Sequence, residues 1–195
     1  MRVTRVSPMG RVLWRVLIAV VSATVLAGCA GEPAAPDRTE PRWDVDCTGL
    51  DGAVAGEDFA ETTLPCLTGD GEFALGTVAD RPAVVSLWAS WCGPCVTEAP
   101  EVQRFHELAG SQVTVIGVNT QDARDRALFF AEDFNWTFPS LFDERGEILR
   151  SQGLTALPAI MFIDTDGSTV ATLTESDVTA DDLIDTAREH FGVSI

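Results

Sequence analysis

Ala83-Val84-Val85-Ser86-Leu87-Trp88-Ala89-Ser90 runs directly into Trp91-Cys92-Gly93-Pro94-Cys95. By its apolar run, Ala83 to Ala89 reads as a buried strand. Two cysteines separated by two residues can close a small disulfide ring and open it again. Gly93-Pro94 permits a helix start, because proline fits the first helical turn. Cys95, Ala99, Val102 and Phe105 follow at helical spacing, and Pro100 is expected to bend this helix or interrupt its first hydrogen bonds. A strand that delivers a cysteine pair to a helix entrance points to thiol–disulfide chemistry rather than to packing.

Working outward, Val113 to Asn119 is a second buried strand. Asp122 is placed to cap a helix running through Ala127 to Phe134. Phe138 to Phe142 reads as a short strand, and Asp143 to Gln152 as a helical turn or short helix. Pro158 to Asp164 is a third strong strand. Asp166-Gly167 signals a hairpin whose partner strand is Ser168 to Glu175. Thr179-x-x-Asp182 opens a final amphipathic helix with Leu183, Ile184, Ala187 and Phe191 on one side. Upstream, Gly69-Asp70-Gly71 reads as a tight turn between two short extended pieces. Alternating strands and helices, closed by a hairpin and a helix, predict an α/β fold around a mixed sheet.

The N-terminus is a targeting segment. Arg2, Arg5, Arg11 and Arg15 precede any acidic residue, and Val16 to Ala27 is an apolar run too short for a permanent span, which needs about 20 apolar residues. The run ends in Leu26-Ala27-Gly28-Cys29, which resembles a bacterial lipobox. That resemblance implies a signal peptide over 1–28, lipid on Cys29, and a chain tethered at the outer face of the cytoplasmic membrane. A soluble secreted protein is the other reading. Residues 29–44, with three prolines, small residues and charges, read as a flexible tether, and 45–195 as one domain with its own core.

The chain carries 13 basic residues against 30 acidic ones, for a formal net charge of −17. Loss of the four leader arginines makes the mature form more acidic still. This argues against nucleic acid and against electrostatic adsorption to anionic lipid.

There are five cysteines, and the export signal places them in an oxidising compartment. With Cys29 lipidated and Cys92 and Cys95 paired, Cys47 and Cys66 complete an even count and read as a structural disulfide. Closing that loop contributes on the order of 3 kcal/mol. A second redox pair relaying electrons to Cys92 and Cys95 is the alternative. Structural zinc usually takes four ligands with paired spacing. The chain has one Cys-x-x-Cys, and His106 and His190 fall on helices far along the sequence. No metal is therefore expected. His106 reads as a surface residue, and His190 as a positive group near a helix C-terminus.

The strand, the Trp-Cys-Gly-Pro-Cys segment, the helix after it, and Leu157-Pro158 opening a later strand together resemble thioredoxin, from about Cys66 to Phe191. The nearer resemblance is to the membrane-anchored TlpA/ResA branch. Its Trp-Cys-x-Pro-Cys-x-x-Glu-x-Pro stands here as Trp91-Cys92-Gly93-Pro94-Cys95-Val96-Thr97-Glu98-Ala99-Pro100. Its extra helix and strand fit Gln121 to Phe142. The implied fold is thioredoxin-like: a central mixed sheet flanked by helices, with that helix–strand insertion and an N-terminal extension. Two positions depart. Thioredoxin's buried aspartate, six residues before the first motif cysteine, is Ser86 here, and the residue after the loop proline, often threonine, is Ala159.

The resemblance implies a thiol–disulfide oxidoreductase without a cofactor. Cys92 would be the nucleophile at a helix N-terminus, where backbone N–H groups and the dipole favour a thiolate. Cys95, one turn on and less exposed, would resolve the mixed disulfide. Pro158 is expected to follow a cis bond beside the thiols, and Trp91 to wall the site. Glu98, one turn past Cys95, is the candidate for exchanging protons with the thiols. The implied partners are a disulfide-bearing exported protein such as apocytochrome c and a membrane electron donor of the CcdA type. The same fold run as an oxidase is the second reading. A copper-handling lipoprotein is a third, although copper chaperones of this fold use a wider cysteine spacing and a distal histidine.

Overall fold

The computed structural model describes residues 39–50, 59, 62–75 and 80–195. The expected signal peptide, Cys29 and most of the expected tether lie outside them. The elements run β1 (Thr62–Pro65), β2 (Glu72–Leu75), β3 (Ala83–Trp88), α1 (Gly93–Ala109), β4 (Thr114–Thr120), α2 (Arg124–Asp133), β5 (Ser140–Asp143), α3 (Glu147–Ser151), β6 (Ala159–Ile163), β7 (Thr169–Leu173) and α4 (Ala180–Phe191).

Five strands form one sheet in the order β5-β4-β3-β6-β7. β3 pairs parallel with β4, and β4 with β5, while β6 is antiparallel to both β3 and β7. β3 therefore sits in the middle, and all six of its residues are buried. A strand covered on both faces needs a continuous apolar run rather than an alternating one, which is what Ala83 to Trp88 supplies. Its side chains still alternate between two cores. Val84 and Trp88 join Ala99, Val102, Phe105, Leu183 and Ala187 of α1 and α4. Ala83, Val85 and Leu87 join Ile116, Val118, Leu141, Ile148 and Met161 on the other side.

β1 and β2 form a separate antiparallel hairpin around the Gly69–Gly71 turn. It is tied to the sheet's β5 edge by the Cys66–Leu141 bridge and by Leu67 N–H to Ser140 O at 2.8 Å.

α1 runs through Pro100 for 17 residues without an interruption. As the eighth residue of α1, Pro100 lies inside the helix, where it cannot give the hydrogen bond that an N–H there would make to the Val96 carbonyl, and the helix continues past it. α4 opens on the full capping box: Thr179 Oγ1 accepts from Asp182 N–H, and the Asp182 carboxylate accepts from Thr179 N–H. Ala180 N–H also donates to Glu101 Oε2 at 2.9 Å, fastening α4 to α1. Thr179→Ala should cost about 1 kcal/mol of unfolding free energy, read as a lower urea midpoint with an unchanged slope.

Three expectations are corrected. Asp122 does not cap α2: the N-cap is Ala123 with no side-chain bond. Three donors on neighbouring elements claim the Asp122 carboxylate instead, together with Ala123 N–H. His106 is half-buried rather than a surface residue, packed edge-on against Phe138 at 5.5 Å between ring centroids. Burial holds its imidazole below the usual histidine range. The last residues of the expected tether are docked: Trp43 is buried and donates its indole N–H to Trp136 O at 2.7 Å, and Arg42 N–H donates to Glu132 Oε2 at 2.8 Å. A tryptophan this large stabilises the fold by burying its ring, so Trp43 is part of the packed domain.

Candidate active site

The site is built where β3 stops. Cys92 N–H returns to Ala89 O at 3.1 Å, which folds Ser90 and Trp91 into a tight turn before α1. Cys92 is the N-cap of α1, in extended backbone, and Pro94 occupies the first helical turn. Here the cap ligand is sulfur: Cys95 N–H points at Cys92 Sγ at 3.2 Å. A disulfide joins Cys92 to Cys95, with Cα atoms 5.3 Å apart. The expectation that Cys95 is the less exposed partner holds only narrowly, since Cys92 is 4% and Cys95 2% accessible. Trp91, in contrast, is 56% exposed, with its indole N–H held by Gln121 O at 2.9 Å. It stands on the surface beside the disulfide and is not a core residue.

Sheet register brings Pro158 to the same end. Leu87 of β3 faces Ala159 of β6, so the buried Pro158 lies one residue beyond, level with the end of β3. The Leu157–Pro158 peptide bond is cis.

Glu98 lies on the buried side of α1 with Cys95 and Ala99, and is 3% exposed. Its Oε1 has no hydrogen-bond partner. Burial alone raises its pKa to about 7, because a charged carboxylate without compensating donors is costly in an apolar surrounding. A carboxyl at that value can release or take up a proton near neutral pH.

Behind the disulfide lies an aromatic wall. Trp88 stacks on Phe130 at 4.8 Å and meets Trp136 edge-on at 4.7 Å. Trp136 donates its indole N–H to Ala99 O at 3.0 Å. α2 and β5, which carry Phe130 and frame Trp136, thus support the inner face of α1 next to Glu98.

Cys47 and Cys66 form a second disulfide, with Cα atoms 6.0 Å apart. It pins the segment before the hairpin to β5's neighbourhood, away from the β3–α1 turn. Cys66 is buried and Cys47 half-buried, at the edge of an open groove of about 400 Å³ that Asp46, Asp70 and Glu72 help to line. Among the described residues no three His, Cys, Asp or Glu side chains converge as metal ligands. Among them, too, no helix is long and apolar enough to cross a membrane.

The structure thus brings Trp91, Cys92, Cys95, Glu98 and Pro158 to one end of the sheet and leaves Cys47 and Cys66 apart. Ser90 and Asp122 belong to the same corner and were given no site role from the sequence. The nearest signal was a lone aspartate just after a buried strand, which reads equally well as a helix cap.

Three comparisons bear on this arrangement. The profile of the Redoxin family matches residues 54–187. The thiol:disulfide interchange protein DsbE of Pseudomonas fluorescens biotype C is 29% identical over 63% of this chain and 68% of its own length. The thiol-disulfide oxidoreductase ResA of Geobacillus thermodenitrificans is 28% identical over 55% of this chain and 64% of its own. The chain therefore spans about two thirds of the length of these curated relatives. Among solved structures, a secreted Mycobacterium tuberculosis disulfide oxidoreductase homologous to E. coli DsbE superposes with a TM-score of 0.62. It covers 69% of this chain and 99% of its own at 23% identity, a likeness of fold. The mixed sheet with flanking helices is thus the thioredoxin-like fold expected from the sequence.

Proposed function

The chain belongs to the Redoxin family, on the thiol–disulfide oxidoreductase side that its DsbE and ResA relatives represent, and we propose that it works as an extracytoplasmic reductase of disulfides in exported proteins. The observation that carries this reading is the Cys92–Cys95 disulfide at the N-terminus of α1, with Cys95 N–H aimed at Cys92 Sγ. In the reduced protein that N–H and the helix dipole stabilise a thiolate on Cys92.

The reaction is two exchanges. The Cys92 thiolate attacks one sulfur of a substrate disulfide, forming a mixed disulfide and expelling a substrate thiolate. Cys95 then loses its proton and attacks Cys92 Sγ, breaking the mixed disulfide and expelling the second substrate sulfur. Two electrons pass to the substrate, and the Cys92–Cys95 disulfide is left for a membrane dithiol donor of the CcdA type to reduce. Glu98, buried one turn from Cys95 and titrating near neutrality, is the proposed acceptor of the Cys95 proton. Trp91 and the Pro158 corner form the surface against which an extended substrate lies. Cys47–Cys66 is the structural disulfide of the N-terminal extension.

The substrate class follows the ResA and DsbE likeness: exported proteins whose cysteines must be reduced, as in cytochrome c maturation. The location follows from the leader, with lipid on Cys29 holding the domain at the outer face of the membrane. The alternative is an oxidase that introduces disulfides.

The equilibrium reduction potential of the Cys92/Cys95 couple decides the direction. It is measured on the full-length chain in detergent, with acid quenching, alkylation and peptide mapping to separate it from Cys47/Cys66. A potential near about −250 mV or below is expected, in the range of thioredoxin. A potential near about −120 mV, in the range of DsbA, would overturn the reductase reading in favour of the oxidase.

A further inference from the structure

Cys92 is delivered by a turn with two central residues, Ser90 and Trp91, and both are held from one corner at the end of β4. Asp122 Oδ2 accepts Ser90 N–H at 2.6 Å, and Asp122 Oδ1 accepts Ser90 Oγ–H at 2.9 Å. Gln121 O accepts the Trp91 indole N–H at 2.9 Å. The carboxylate is itself fixed by Asn119 Nδ2–H at 3.0 Å and by Ala123 N–H at 2.7 Å. It thus collects four neutral donors. The adjacent cation, Arg124, donates instead to Cys66 O and Leu67 O and lies over the Phe142 ring.

The backbone at this corner is unusual. Gln121 has φ 53°, in the left-handed region that residues with a Cβ rarely adopt. Its N–H is held by Asp143 O at 2.9 Å. Gly146 leaves room for the Gln121 side chain, since a Cβ there would come within 2.8 Å of it. The left-handed step turns the Gln121 carbonyl and the Asp122 carboxylate toward the same turn. Strained backbone that the surroundings hold in place is a marker of functional geometry. A helix cap would need neither this conformation nor a reach of 32 residues to Ser90.

We propose that Asp122 is a positioning residue of the active site, which clamps the Ser90–Trp91 turn so that Cys92 Sγ stays in the cap position against Cys95 N–H. The proposal rests on the reading of Cys92 as the attacking cysteine. It acts through geometry, and its sign is distinctive. A carboxylate near a thiolate opposes it electrostatically, so removing the charge alone would make the Cys92 thiolate easier to form. Removing the clamp does the reverse, because a sulfur that drifts from the helix N-terminus loses the N–H group and dipole that favour its charge.

The test is the pH dependence of Cys92 alkylation by iodoacetamide. The full-length, reduced chain in detergent is resolved by peptide mass for wild type, Asp122→Asn and Ser90→Ala. Asp122→Asn removes the charge and sets an amide among donors. Ser90→Ala removes one bond and keeps the charge. For Asp122→Asn the midpoint is expected to rise by about half to one pH unit, and alkylation at pH 6 to slow by about three- to tenfold. Ser90→Ala should shift the same way by less. A midpoint that is unchanged or lower in Asp122→Asn overturns the proposal. Should that variant fail to fold, an unchanged midpoint in Ser90→Ala overturns it equally. A wild-type chain whose Cys92 reacts no faster than Cys95 overturns the assignment of the nucleophile, and with it this role for Asp122.

Discussion

Cys92→Ser should abolish turnover of disulfide substrates, by at least about a thousandfold, while leaving the fold as stable as the reduced wild type. The size of the effect follows from the chemistry. Exchange runs through a thiolate, and a serine hydroxyl neither ionises near neutral pH nor leaves from sulfur. Mutual geometry makes Cys95→Ser the informative companion. Cys95 is buried at the third helical position, behind Cys92. Its loss should leave the first attack intact and block resolution. A mixed disulfide between Cys92 and the substrate should accumulate, seen as a covalent adduct by non-reducing electrophoresis and mass spectrometry. The reverse pattern, with adducts on Cys95 in a Cys92→Ser chain, would exchange the two roles. Because Cys47 and Cys66 are tied to each other elsewhere, both variants keep the second disulfide. Any residual two-electron transfer in a chain lacking Cys92 would therefore measure whether that pair exchanges at all.

Much of this site was legible in the sequence because its parts are local. A strand, a turn, two cysteines and a helix follow each other within about two dozen residues, and the apolar run, Gly93-Pro94 and the helical spacing each carry their own signal. The fold was legible for the same reason: the strong strands are near-continuous apolar runs, as double burial favours, with polar residues such as Ser86 and Asn119 set among them. What failed depends on partners distant in sequence. Asp122 has the composition and place of a helix cap, and only the approach of β3's end to β4's end reveals that Ser90 outbids the helix. Trp43 sits in a Pro-rich, charged stretch, and its burial against Trp136 depends on a contact 93 residues away. His106 falls at a half-covered position of α1 because Phe138, from the inserted segment, closes over it. Long-range packing overrides local composition in all three.

Glu98→Gln should stabilise the protein at alkaline pH and slow it as an enzyme. An unfolded chain titrates this carboxyl near its ordinary value of 4.5, whereas burial raises it to about 7 in the fold. Below both values the group is protonated in both states and contributes nothing to the pH dependence. Between them the folded protein keeps a proton that the unfolded chain has lost, so stability falls as pH rises. Above about 7 the full penalty is present, roughly 3 kcal/mol from the difference between the two values. Glutamine keeps the shape and removes the titration. Urea unfolding from pH 4 to 9 should therefore show the variant gaining about 3 kcal/mol relative to wild type across that range. Parallel curves would mean that the carboxyl finds compensation on ionising and that burial does not govern it. The catalytic half of the prediction is separate. If Glu98 takes the proton from Cys95, resolution of the mixed disulfide should slow by about ten- to a hundredfold, since glutamine cannot accept that proton. Formation of the mixed disulfide by Cys92 should change far less. Unchanged resolution rates and unchanged thiol titration between about pH 5 and 10 would leave Glu98 as an acid tolerated in the core without a use. A folded state that carries a carboxyl with an unpartnered Oε1 gives up stability at every pH above the group's unfolded value. The proposed role in proton transfer to and from Cys95 would account for such a group standing one helical turn from that thiol.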